Sequence, residues 1–186
     1  TAATSLLYLQ AGVKLTDLAA PMSGRVAVLD PLAMATIANA AATLFNPQSV
    51  ISDTWRSGMF GKNQLGISEW FYDQNVQSYT TGSSTAATPL VDTANQTGSV
   101  LNTKGWASGA STLRKGDIFT LAGVYSVNPQ SYNSTGRLQQ FVVTADTTSV
   151  TTEMDTLPIS PSIITSGPLQ TVSNSPADGA VITVVG

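Results

Sequence analysis

The side chains of this chain that could do chemistry are carboxylates. Three acidic pairs have spacings worth testing: Glu69 with Asp73, Glu153 with Asp155, and Asp117 with Asp146. Two carboxylates flanking one bond are the equipment of glycoside hydrolysis, one acting as acid and the other as base or nucleophile. Glu69 and Asp73 fall on one face of an expected strand, about 13 Å apart by strand rise, too far to act on one bond. Glu153 and Asp155 fall in "TTEMDTLP", which reads as a loop. Nothing in the sequence builds a pocket that would keep one member of a pair protonated. All of them therefore read as solvated turn carboxylates, and no catalytic residue is assigned.

Composition closes most other routes. The 186 residues contain no Cys and no His. Disulfides, thiolate nucleophiles, zinc knuckles, His metal sites and Ser-His-Asp catalysis are excluded on that ground. Calcium could use Asp and Asn oxygens alone, but acids at alternate positions around a Gly do not occur. No metal, no cofactor and no enzymatic activity are expected. Only 10% of residues are charged and the formal net charge is -3, which argues against electrostatic, or sequence-specific, nucleic-acid binding. The apolar stretch "AMATIANAAATLF" is interrupted and far short of a membrane span. The start, "TAATSLLYLQ", lacks a charged signal-peptide region and a Met, so the chain is expected to be a piece of a longer polypeptide.

Binding motifs are the next possibility. "RKGD", Arg114 to Asp117, contains Lys-Gly-Asp, a tripeptide that adhesion receptors can read. Lys115, Gly116 and Asp117 also suit a structural turn, because Gly takes positive φ without strain and its neighbours are soluble. The turn is the reading adopted. "NQT" at Asn95 and "NST" at Asn133 match a glycosylation sequon, as chance allows in an Asn- and Thr-rich chain. Trp55 and Trp70 sit in core-like contexts, whereas Trp106, between Gly105 and "ASG", reads as exposed.

These residues need elements to position them. Leu7, Ala11, Leu15 and Leu18 recur at helical spacing, with Ser5 to cap the start and Pro21 to end the segment. "RVAVLDP", Arg25 to Pro31, predicts a short buried strand. Asp30-Pro31 then opens an Ala-rich helix, and Asn46-Pro47 opens another that stops at Gly58. "GISEWFYDQNV", Gly66 to Val76, predicts an aromatic strand. Past a Ser/Thr/Gly-rich linker near Tyr79 the helical period disappears. "SVLNT", "DIFTLAGVYSV", "RLQQFVVTAD", "LPISPSII" and "AVITVV" read as strands between turn clusters, the pattern of a small antiparallel barrel or sandwich.

Several of these segments together resemble a known family. "GRVAVLDP" with its Ala-rich helix, "SGMFGKNQLGISEWFYDQNVQSYTTG", and "TLRKGDIFTLAGVYSVNPQS" with "STGRLQQFVVTAD" are similar to major capsid (coat) proteins of tailed bacteriophages. The closer likeness is to the short-tailed-phage branch, whose coat proteins carry an inserted β-barrel domain. The resemblance implies an α+β chain and a structural subunit of a phage or prophage capsid shell. Residues 1–78 would be a capsid core-domain portion, and residues 79–186 the inserted β-rich domain that supports subunit folding and inter-subunit contacts. It also implies copies of itself as partners, a scaffolding protein as a further one, no membrane, and a place in the virion after assembly in the host bacterial cytoplasm. The family's N-terminal arm, extended loop, long spine helix and C-terminal return segment are not found, so a central fragment unable to build a shell alone is expected. A polar, sparsely charged surface suits this, because identical neighbours carrying heavy like charge would repel. The loops around Gly58 and Gly61 and the Ala-rich helix faces are the expected inter-subunit contacts. The alternative is a carbohydrate- or receptor-binding β-module using Trp106 or Tyr132.

Overall fold

The computed structural model describes residues 5–41, 62–83, 88–109 and 112–185. These fall into two units, Thr1–Ser78 and Tyr79–Gly186, and the fold is α+β. The expected helix from Asn46-Pro47 to Gly58, with Trp55, Gly58 and Gly61, lies outside the described residues.

In the first unit, helix α1 (Ser5–Asp17) leads to strand β1 (Val26–Leu29), helix α2 (Pro31–Ala41) and strand β2 (Glu69–Tyr72). Asp30 starts α2 as its chemistry requires. Its carboxylate accepts the Leu32 N–H at 3.0 Å, while its carbonyl accepts the Met34 N–H at 2.9 Å. Pro31 occupies the first helical position, where no N–H is needed. Because a helix intervenes, β1 and β2 pair in parallel, with Val26 opposite Glu69 and Leu29 opposite Tyr72. The Arg25 guanidinium ties the end of α1 to the start of β1. It donates to the carbonyls of Pro21, Ala20 and Gly12 at 2.8, 3.0 and 3.3 Å. The small core joins Met34, Ile37, Ile67 and Trp70, and Tyr8 meets Trp70 edge-on with centroids 5.7 Å apart.

Leu7, Ala11 and Leu15 of α1, and Leu18 just after it, are all exposed, and Tyr8 and Gly12 face the core. The helix is apolar nearly all round, so periodicity does not single out a face, and the Tyr8–Trp70 contact decides it. Strand β1 is half-buried rather than buried. Ala27 and Leu29 turn inward while Val26 and Val28 are 54% and 55% exposed.

The second unit is built from strands β3 (Leu90–Val91), β4 (Gly98–Lys104), β5 (Thr112–Leu113), β6 (Ile118–Val127), β7 (Ser134–Val143), β8 (Thr147–Thr148), β9 (Glu153–Ile163) and β10 (Ile182–Val185). Six of them form one antiparallel sheet in the order β10-β6-β7-β9-β4-β3. Its two ends meet. Leu90 bridges Val181, the Val91 N–H donates to the Ala180 carbonyl at 2.9 Å, and the Ile182 N–H donates to the Pro89 carbonyl at 2.9 Å. The sheet thus curls into a nearly closed barrel, which leaves few unpaired edges. β5 and β8 form a separate two-stranded pair. Inside lie Leu101, Trp106, Phe119, Phe141, Leu157 and other apolar side chains, with Phe119 and Phe141 stacked across β6 and β7 at 5.8 Å.

The segment "TTEMD" is corrected here. Glu153 and Asp155 belong to β9, not to a loop, with their side chains exposed while Met154 between them is 1% exposed. Glu153 lies opposite Lys104 on β4, an opposite-charge pairing that suits neighbouring strands. A single apolar residue among polar neighbours gave too little alternation to reveal the strand.

Candidate functional site

One polar cluster of the β-unit is the "RKGD" corner between β5 and β6. The Asp117 N–H donates to the Arg114 carbonyl at 3.0 Å, closing a four-residue turn, and Gly116 holds φ at 103°. A residue with a side chain would be strained there. The backbone also extends the β6–β7 ladder: the Gly116 N–H donates to Val143 O at 2.8 Å, and the Val143 N–H to Asp117 O at 2.9 Å. Asp146 accepts the Lys115 N–H at 2.7 Å from the other side.

Asp117 is not a soluble flank of this turn. It is 1% exposed, and donors surround its carboxylate. Oδ2 accepts the Arg114 N–H at 2.7 Å, Oδ1 accepts the Tyr79 hydroxyl at 2.8 Å, and the Gly82 N–H reaches both oxygens at 3.1 and 3.2 Å. Buried carboxylates are tolerated when hydrogen bonds replace their lost water, as these do. The Tyr79 ring is half exposed, but its hydroxyl turns onto the corner. Loss of water around that hydroxyl, then the bond to Asp117 and its charge, push the Tyr79 pKa above 10.0. Gly82 is required sterically, since a Cβ there would lie 2.3 Å from the Thr112 carbonyl oxygen and 2.8 Å from Asp117 Oδ2.

A second cluster pins the barrel seam. Lys104 Nζ lies 2.8 Å from Asp178 and 3.0 Å from Asp92, and the Thr93 N–H donates to Asp178 at 3.1 Å. The Lys104 ammonium, followed by the Thr93 N–H, lowers the Asp178 carboxyl below its ordinary range, while Asp178 and Asp92 raise Lys104. The sequence reading missed this cluster because its members lie up to 86 positions apart, and only barrel closure brings them together.

The other candidates are placed as follows. Trp106 is corrected: it is 2% exposed, its indole N–H donates to Thr103 Oγ1 at 2.8 Å, and Thr103 donates on to the Met154 carbonyl at 3.1 Å. Flanking glycines suggest exposure, but here Gly105 makes room for Thr88 instead: a Cβ at Gly105 would lie 2.6 Å from the Thr88 carbonyl oxygen. Trp70 is buried, donating to the Gln64 carbonyl at 3.3 Å. Tyr132 is exposed on the β6–β7 turn, its hydroxyl donating to Pro168 O at 3.3 Å. Glu69 lies 3.8 Å from Lys62 at the surface, and Asp73 accepts the Asn75 N–H at 2.8 Å. Asn95 and Asn133 lie on exposed turns. The structure therefore leaves the first two acidic pairs at the surface. It brings Asp117 and Asp146 to one turn, where each accepts backbone N–H groups. Among the described residues no group of three or more acidic side chains could hold a metal ion, and no helix is long and apolar enough to cross a membrane.

The described residues thus make an α/β unit followed by a strand barrel. The family model for the P22 coat protein, gene protein 5, matches residues 8–186. The chain belongs to that family and is a structural subunit of a phage capsid. Among solved structures it is similar to the CUS-3 coat protein I-domain at 24% identity, with a TM-score of 0.38, covering 58% of this chain and 98% of that one. No curated protein matches the chain.

Proposed function

We propose that this chain works by self-assembly, its first unit serving as part of the capsid core and its β-unit as the inserted domain that supports subunit folding and inter-subunit contacts. The observation that carries the reading is the coat-family match, which runs through both units from residue 8 to residue 186. The surface of the first unit supports it. Leu6, Leu7 and Leu9 on α1 and Val26 and Val28 on β1 are all exposed, and exposed apolar side chains of this kind are where a neighbouring subunit can be met. Modest contacts of this kind, multiplied by symmetry, hold a closed shell. Loops around Gly58 and Gly61 are proposed as further contacts, and a scaffolding protein as an assembly partner. On this reading assembly takes place in the host cytoplasm, the shell encloses the genome without reading its sequence, and no catalytic step is involved. The glycan-binding alternative loses its main support with Trp106, whose ring is in the core.

The test is expression of the whole open reading frame followed by electron microscopy. Closed shells of regular size are the expected outcome. Soluble monomers that titrate a glycan panel with micromolar affinity would overturn the proposal.

A further inference from the structure

The Asp117 carboxylate accepts more bonds than its turn requires, and the surplus leads elsewhere in the chain. A turn of this kind needs only the Arg114 N–H, which Oδ2 accepts at 2.7 Å. The remaining donors, the Tyr79 hydroxyl and the Gly82 N–H, lie 38 and 35 residues earlier. They belong to the stretch through which the chain enters the β-unit. We propose that Asp117 is a latch that fixes this entry, so that the tether between the two units is kept short.

The anchoring points on either side define that tether. In the first unit the last anchors are the Asp73 N–H on the Leu29 carbonyl at 2.9 Å and the Asn75 N–H on Asp73 at 2.8 Å. Val76, Gln77 and Ser78 then run exposed and outside any helix or strand. Tyr79 and Gly82 are held at the corner, and the Ser83 carbonyl accepts the Thr112 N–H at 3.2 Å. With the latch closed, three residues, 76–78, span between anchors. With it open, the next anchor is the Ser83 carbonyl on the Thr112 N–H, and the span grows to seven residues, 76–82. For a flexible chain that lengthens the root-mean-square reach from about 10 Å to about 15 Å.

The chemistry of the latch is specific to a carboxylate and to glycine. Every partner of both oxygens is a donor, so an amide at position 117 must set its NH2 against at least one N–H or O–H. Gly82 lies so close to the Thr112 carbonyl and Asp117 Oδ2 that no side chain fits between. An ordinary solvated turn would have neither constraint.

Chymotrypsin cleavage of the intact chain reads the latch directly, because position 79 is an aromatic site inside the latched stretch. Tyr132, exposed at a turn of the same unit, serves as the internal control. The variants are Asp117→Asn and Tyr79→Phe, the second of which keeps the cleavage site and leaves the carboxylate and its turn bond in place. Cleavage after position 79 should rise about tenfold in Asp117→Asn and about threefold in Tyr79→Phe, with the rate at Tyr132 unchanged, since proteolysis follows the population of the open state. An unchanged rate at position 79, or a rise matched at Tyr132, would overturn the proposal: Asp117 would then support the barrel as a whole and not the entry. If Asp117→Asn does not fold, Tyr79→Phe decides between the same two outcomes.

Discussion

Replacing Thr103 with Val should destabilise the β-unit out of proportion to the size of the change. Thr103 is fully buried, and its hydroxyl links the Trp106 indole N–H at 2.8 Å to the Met154 carbonyl at 3.1 Å. Val has the same shape but neither lone pair nor proton. The indole N–H is left in the core without an acceptor, at a cost of about 1–3 kcal/mol, and the Met154 carbonyl loses an acceptor bond worth about 1 kcal/mol. The added methyl returns up to about 0.8 kcal/mol. The net loss is about 2 kcal/mol, which for a unit of this size lowers the melting temperature by about 8 °C. Urea unfolding followed by circular dichroism gives the free energy, and Trp106→Phe completes a double-mutant cycle. With the indole N–H gone, Thr103→Val should cost about 1–2 kcal/mol less than it does in the wild type. If Trp106 instead stood in solvent, Thr103→Val would fall within about 0.5 kcal/mol of wild type and the coupling would vanish. That result would refute the buried tryptophan and reopen the glycan-stacking alternative.

Two further outcomes follow from the same geometry. Asp178 is held below 3.8 by Lys104 first and the Thr93 N–H second, so its contribution is present above that unfolded value and is lost as pH falls through the lower folded one. Lys104→Met should therefore flatten the fall in melting temperature between about pH 5 and about pH 3, and an unaltered acid profile would show that the seam does not use this pair. Gly116→Val places a β-branched residue at φ 103°, with its Cβ 3.1 Å from the Tyr79 ring; it should cost about 1–3 kcal/mol. The same urea assay checks it, and a loss below about 0.5 kcal/mol would mean the corner can be rebuilt without positive φ.

The strands of the barrel were legible where apolar runs were long and bounded by turn residues. "DIFTLAGVYSV" and "RLQQFVVTAD" correspond to β6 and β7, and Asp30-Pro31 marked the start of α2. The two-residue strands β3, β5 and β8 were not legible, since a pair of residues carries no period. Their pairing comes from neighbours far along the chain: Leu90 meets Lys104 and Val181, and Thr112 meets Thr148. The buried face of α1 was not legible for a related reason. When apolar residues surround a helix, the partner that happens to lie against it chooses the face, and here that partner is Trp70.

The "RKGD" corner shows how a local motif changes meaning once long-range contacts are known. From the sequence, Asp117 is a soluble residue beside a glycine, and a receptor that reads Lys-Gly-Asp needs that carboxylate free to meet a cation or a donor. In the fold it is 1% exposed and already accepts from Arg114, Tyr79 and Gly82. Lys115 alone of the tripeptide presents its side chain to solvent. A receptor could take the aspartate only by breaking every one of these bonds and opening the corner from which β6 starts. The corner's stability is therefore itself the argument against display. The property that makes Asp117 useful to the fold, an acceptor saturated by the chain's own donors, is the property that withholds it from a partner.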